Sequence, residues 1–306
     1  MEGQKMETTV ASVMPHRIEV SPEQLAALNS GGKFTAVAFD LFKETGCMAV
    51  IGSNIFEAHE QTGYPFERNQ AICAGHLVRI FKLMMAVCRL ASTGDSAEVN
   101  LQLIRSVFET ATNLRFLLLK KDKALFDQFV STSLGPEREL YDLVQINSKK
   151  RGGKLLPIER RILNQVKEAC DKSGLRIETV SSKQQKWGGS LREKLKALRV
   201  EGRYSLSQRF PSHTVHGDWI DLVTFHLKCK GDRFGIQSQF GSNTPSLYLP
   251  PAFFVLEAVE DYLRVYFPKR DEIGIVFDRI KDLHSRLTMV NNHYELWVQK
   301  NPPTEE

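Results

Sequence analysis

The sequence predicts an all-α protein: a multi-helix bundle with a central apolar helix and peripheral N- and C-terminal segments. Two observations carry that expectation. Apolar residues recur at helical rather than alternating spacing over long stretches, as Ile72, Leu77, Ile80, Phe81, Met84 and Cys88 do. Three helix starts are also written in residues that cap a first turn: Ser21-Pro22-Glu23-Gln24, Asp95-Ser96-Ala97-Glu98 and Ser190-Leu191-Arg192-Glu193. Helix should therefore exceed roughly half of the residues and strand stay below about a tenth.

Taken in order, residues 1–20 read as a loose tail, and the Ser21 box opens a short helix that Gly31-Gly32 stops. Residues 33–60 are the hardest to read, because FTAVAFDLF fits a strand or a helix, and helix is favoured by its surroundings. Gly63-Tyr64-Pro65 then breaks the chain before a helix over 66–90. The Asp95 box opens the most apolar helix, 97–120, in which Arg105, Glu109 and Arg115 are the charged residues between Leu101 and Leu119. A helix apolar nearly all round belongs inside a bundle, and its Arg105, Glu109 and Asn113 make a polar seam. A buried guanidinium needs partners, so the seam is either an internal brace or part of a site.

Helices follow over 122–133, 136–149 and 157–172, then a polar loop, then the Ser190 helix, which ends before Gly202. The run LKCKGDRFGIQSQFGSNTPSLYLPP, rich in Gly, Asn and Pro, reads as a long loop before closing helices over 251–267 and 271–299. This organisation predicts a tail and peripheral segment over 1–65 and a single helical-bundle domain over 66–300.

Several function classes are excluded or disfavoured. No run approaches eighteen uninterrupted apolar residues, which predicts no membrane span, and the N-terminus lacks the apolar core of a secretion signal. Five scattered cysteines, never spaced CxxC, suit reduced thiols in a cytoplasmic protein. The net charge of +5 is unevenly spread: from Lys149 to Arg209 there are 17 Lys and Arg against 6 Asp and Glu, a net of +11, which leaves −6 for the rest. That asymmetry points to nucleic acid as a partner through 149–209, with Lys149, Lys150, Arg151 and Lys154 as its contacts, or to a solvated basic segment.

Functional-type side chains concentrate between Tyr204 and His226, which holds His213, His216, His226, Ser207, Ser212, Arg209, Asp218 and Asp221. With helix on both sides of Pro211 and a break at the proline, Ser212 and His216 lie one turn apart on one face, and His213 and His216 are i, i+3 neighbours. A buried structural His216 and a functional one both fit. The histidines lack an HExxH pattern or a convincing third ligand, so no metal and no cofactor is expected. Phosphate-loop and serine-elbow motifs are missing. What remains is metal-free acid–base chemistry, with His216 moving a proton and Arg209 or Arg105 holding an anion, as in RNA cleavage through the 2′-hydroxyl.

Trp187-Gly188-Gly189-Ser190, Gly202-Arg203-Tyr204 and Ser212-His213-Thr214-Val215-His216-Gly217-Asp218-Trp219, with Arg105-x3-Glu109 upstream, together resemble a bacterial all-α family of unknown function, family 5677. The resemblance covers roughly residues 66 to 267. It implies a helical bundle in which Arg105 and Glu109 approach Ser212 and His216, and it implies no established reaction. A looser likeness of fold class links the chain to the helical HEPN ribonucleases, which place an arginine and a histidine on one helix; here Pro211 stands between Arg209 and His216. Two readings follow. One is a metal-independent ribonuclease-like or hydrolase-like protein in stress or phage defence. The other is a non-catalytic interaction or scaffold protein, compatible with a homodimer, whose polar seam only specifies helix packing.

Overall fold

Ser21 caps the first helix reciprocally with Gln24, and Gly32 at φ +66° ends it. The Ser190 box forms too: Glu193 accepts from the Ser190 amide at 2.6 Å, and the Ser190 hydroxyl accepts from the Glu193 amide at 3.3 Å. The third box differs. Glu98 accepts from the Gly241 amide at 3.0 Å, and Asp95 accepts from the Ser242 hydroxyl and the Asn243 amide, so these carboxylates hold a distant loop.

A computed structural model describes residues 13–55, 66–181, 186–268 and 270–302, and of residues 206, 208, 210 and 270–272 the backbone alone. Gly63-Tyr64-Pro65, the first twelve residues of the tail and the acidic end lie outside the described residues. In order, the helices are α1 (Pro22–Gly31), α2 (Phe34–Ser53), α3 (Arg68–Ser92), α4 (Ala97–Lys120), α5 (Lys123–Ser133), α6 (Gly135–Lys150), α7 (Pro157–Ser173), α8 (Leu191–Ala197), α9 (Phe210–His216), α10 (Trp219–Asp221), α11 (Pro245–Tyr266) and α12 (Arg270–Lys300), with strands β1 (Leu227–Lys230) and β2 (Arg233–Ile236). The protein is all-α, with two four-residue strands as the sheet among the described residues.

The chain divides into two compact units, Met1–Leu118 with Leu195–Glu306, and Leu119–Lys194. In the first, the segment hardest to read by periodicity, α2, lies in the interior. Phe34, Ala38, Leu41, Phe42, Met48 and Ala49 are fully buried, and α2 packs on α3, α11 and α12. Its two-sided burial erases the amphipathic signal that marks a surface helix. By length and composition α3 is long and apolar enough to cross a membrane, but the core helix of a soluble protein meets the same test, and α3 packs on α2 and α11.

Residues 15–18 are not loose. Arg17 bonds Asp282, the Pro15 carbonyl accepts from Arg279, and the Ile18 carbonyl accepts from Arg286. The predicted loop before residue 251 is also corrected. Gly231, at φ +62°, begins the two-residue Gly231-Asp232 turn of a β1–β2 hairpin, a conformation glycine adopts without penalty. Helix α11 then starts at Pro245 and carries Pro250 and Pro251 in its second turn.

The second unit is built on Leu134, Val166, Cys170, Ile177 and Val180. Arg138 ties it together: Nη1 donates to the carbonyls of Ile177, Glu178 and Val180 at 3.0–3.1 Å while Nε donates to Asp142. Trp187 stacks edge-on to Phe129 at 4.9 Å and takes the Lys194 ammonium over its ring at 3.1 Å, so the Trp187-Gly188-Gly189-Ser190 run serves packing here.

Candidate functional site

The stretch singled out by its polar residues folds as a series of short, unlike turns. Glu201–Arg203 is a 3-10 turn, Ser205–Arg209 a π-helical turn, and α9 follows with Pro211 in its first turn. Arg209 keeps helical φ/ψ, so the chain does not break at Pro211 as expected: the helix changes from π to α, and the proline, which has no N–H to donate, falls in the first turn of α9. Such π turns arise where an extra residue is accommodated within a helix, and here one re-aims the side chains around it. Ser207 points inward and is 3% exposed, while Arg209 is exposed.

Gly217, at φ +59°, ends α9 and turns the chain so that Asp218 comes back to His213. Asp218 then works with both oxygens. Oδ1 accepts from the amides of Ile220 and Asp221 at the start of α10, and Oδ2 lies 2.6 Å from His213 Nδ1. The hydrogen bond from His213 holds the Asp218 carboxyl below its usual range. An ionised Asp218 accepts from Nδ1, and this contact fixes the orientation of the His213 ring. A second pair joins His226 Nε2 to the buried Asp221 at 3.3 Å. Among the described residues no three His, Cys, Asp or Glu converge as a metal site.

The motif helix meets α4. Gln102 Nε2 donates to the Thr214 carbonyl at 2.7 Å, and Arg105 and Glu109 follow Gln102 at i+3 and i+7 on the same α4 face. Burial is where expectation and structure part. Glu109, His216 and Arg209 are exposed, and Arg105 and Ser212 are half-buried. The arginine of α4 that is held by a cluster of carboxylates is Arg115. Its side chain, 13% exposed, pairs with Glu257 and, at 2.7 Å, with Asp261. Glu257 is shared with Arg203, whose two terminal nitrogens each donate to it at 2.9 Å. Both guanidinium groups lie over the Phe254 ring, at 5.1 and 5.3 Å. Helix α4 and the Gly202-Arg203-Tyr204 segment are thus joined through a carboxylate on α11.

Beside this ion-pair group opens a cavity of about 400 Å³. Phe108, Pro250 and Phe253 supply apolar wall, and Ser207, His284 and Asn291 supply polar atoms. His284 stands edge-on to Phe253 at 5.2 Å. Sequence reading missed Glu257, His284 and Asn291. A signal was present: Pro250, Phe253 and Glu257 fall at i, i+3, i+7 and His284 and Asn291 at i, i+7, each set on one helix face. The basic residues lie in the other unit. Lys149, Lys150 and Lys154 are exposed around the turn after α6, whereas Arg151 pairs with the buried Glu159 and braces that turn.

Residues 70–234, more than half of the chain, match the family described as Family of unknown function (DUF5677). The chain belongs to this family. The match takes in the Arg105 helix, the Gly202-Arg203-Tyr204 segment, α9 and most of the hairpin, while Glu257, His284 and Asn291 lie beyond it. No curated protein and no solved structure matches the chain.

Proposed function

We propose that this DUF5677 protein is a cytoplasmic, metal-independent ribonuclease-like hydrolase acting at α9, with stress or phage defence as its setting. The observation that carries the reading is the 2.6 Å contact of His213 Nδ1 with Asp218, which itself is fixed by two backbone amides. An imidazole held in one tautomer by a carboxylate is the arrangement a general base needs. In this reading the exposed His216, one turn on, is the general acid.

In this reading His213 Nε2 takes the proton of a ribose 2′-hydroxyl and the oxygen attacks phosphorus. The bond to the 5′-oxygen breaks, and protonated His216 gives its proton to that oxygen. The products are a 2′,3′-cyclic phosphate and a 5′-hydroxyl. Arg209, one turn before His213, holds the phosphate, with Ser212 on the His216 face. Arg105 is a second cation on the α4 face that meets α9, and Glu109 follows it by one turn. In the second unit, the exposed Lys149, Lys150 and Lys154 supply nucleic-acid phosphate contacts of their own.

The test is cleavage of a labelled RNA in excess chelator, wild type beside His213→Ala and His216→Ala. Each variant should lose roughly 10²–10⁴-fold in rate, and 2′-deoxy substitution at the scissile position should abolish cutting. Cleavage that survives both variants, or its absence from the wild type, defeats the proposal.

A second reading, a non-catalytic interaction protein, is favoured by one observation. Trp219, Phe234 and Ile236 are 56%, 52% and 80% exposed, and strand register puts Leu227, Cys229, Phe234 and Ile236 on one hairpin face, opposite Lys228, Lys230 and Arg233. A second copy could cover that apolar face without bringing the lysines together. Concentration-dependent sedimentation that Trp219→Ser abolishes is the outcome this reading expects.

A further inference from the structure

We infer that the cavity between α4, α11 and α12 binds an uncharged, planar heterocycle of nucleobase or nucleoside size. Its volume of about 400 Å³ lies in the range of small-molecule sites. Phe108 and Phe253 offer aromatic surface to a flat ring. Around them Ser207 brings a hydroxyl, Asn291 an amide that both donates and accepts, and His284 a ring nitrogen. A hydrocarbon would make no use of these polar groups, whereas the edge of a heterocycle pairs with them.

Charge decides between a neutral ligand and an anion. Arg203 reaches the cavity, yet both its terminal nitrogens are engaged by Glu257, and Glu257 is also held by Arg115, which Asp261 balances. Two arginines and two carboxylates therefore cancel, and the wall presents no uncompensated fixed charge for a phosphate. A phosphate bonding the remaining N–H groups of Arg203 would sit beside the Glu257 carboxylate and meet its negative charge.

The site stands apart from the cleavage reading, since its polar residues on α11 and α12 have no part in the chemistry at α9. One connection is built into the chain: Ser207 sits in the π-helical turn that leads directly into α9. A ligand bonded to Ser207 would brace the turn from which Arg209 and the motif helix project.

Isothermal titration of the full chain with adenosine, guanosine, cytidine and uridine tests this, with each 5′-monophosphate and with toluene as comparisons. At least one nucleoside should bind with a Kd below about 1 mM, more tightly than toluene and at least as tightly as its monophosphate. Asn291→Leu should weaken it by about tenfold or more, because the buried edge of the ligand then loses its partner. Ser207→Ala, a smaller change, should weaken it in the same direction if Asn291→Leu disturbs folding. No nucleoside binding, toluene binding as tightly, a monophosphate binding tenfold tighter, or both variants binding like the wild type would each overturn the inference.

Discussion

Arg286 and Glu44 form a two-bonded ion pair at 2.7 and 2.8 Å, with both side chains 1% exposed. Arg286 further donates to Asp282 and to the Ile18 carbonyl, so one guanidinium links α2, α12 and the segment before α1. Removing it would leave Glu44 buried, with Arg279 as its remaining ion-pair partner. Arg286→Ala should therefore cost about 3–5 kcal/mol in urea unfolding. Arg286→Met combined with Glu44→Leu should recover only part of that loss, because it removes both charges of the pair but takes the carboxylate partner from Arg279. A single variant as stable as the wild type would show that the pair is not what holds α12 to α2.

The His213–Asp218 contact predicts a pH dependence with a definite sign. Asp218 is held below 3.8 chiefly by the hydrogen bond from His213, so its folded value lies below its unfolded one. Its contribution to stability is present above the unfolded carboxylate value and is lost as pH falls through the lower folded value. Wild type and Asp218→Asn should thus differ in melting temperature near neutral pH and converge as the pH drops below 3.8. Parallel melting curves across that range would remove Asp218 as the anchor of His213.

Thiol chemistry reports the fold directly. Burial pushes the Cys73 and Cys88 thiols up to about 12, while Cys229 is exposed on β1. An aromatic disulfide reagent should label Cys229 rapidly in the native protein and reach all five cysteines only on denaturation. Because Cys47 is half-buried, fast native labelling that persists in Cys47→Ser/Cys229→Ser is the result that would contradict the packing of α3.

The basic turn separates into two roles. Neutralising Lys149, Lys150 and Lys154 should lower any RNA affinity, flatten its salt dependence and leave the far-ultraviolet dichroism unchanged. Arg151→Ala should instead loosen the turn, because Glu159 also caps the start of α7 through the Leu156 amide. Protease cleavage near residue 152 is the measurement that distinguishes them. Equal behaviour of all four positions would refute the division.

Glu109 shows how far sequence reading reaches at the site. Its i+4 spacing from Arg105 placed both on one helix face, and that holds, with Gln102 on the same face touching Thr214. Their burial was inferred from the apolar character of α4 as a whole, and spacing says nothing about which side of a helix a neighbour covers. Arg115 is the guanidinium held by carboxylates because Glu257 and Asp261, more than 140 residues away in sequence, arrive beside it.

By itself the sequence determined the helical class, the start of α1 and α8 through their caps, the place of Pro211 in a helix's first turn and the family. These are consequences of local chemistry: which side chain can bond a nearby amide, and which residue cannot continue a hydrogen-bond ladder. Only the tertiary structure decided that α2 lies in the interior, that Asp218 turns back onto His213, and that α4, α11 and α12 line an open pocket beside Arg203 and Glu257. Those features depend on groups brought together by the packing of distant helices, and on a left-handed turn at Gly217 whose direction one-dimensional spacing does not encode.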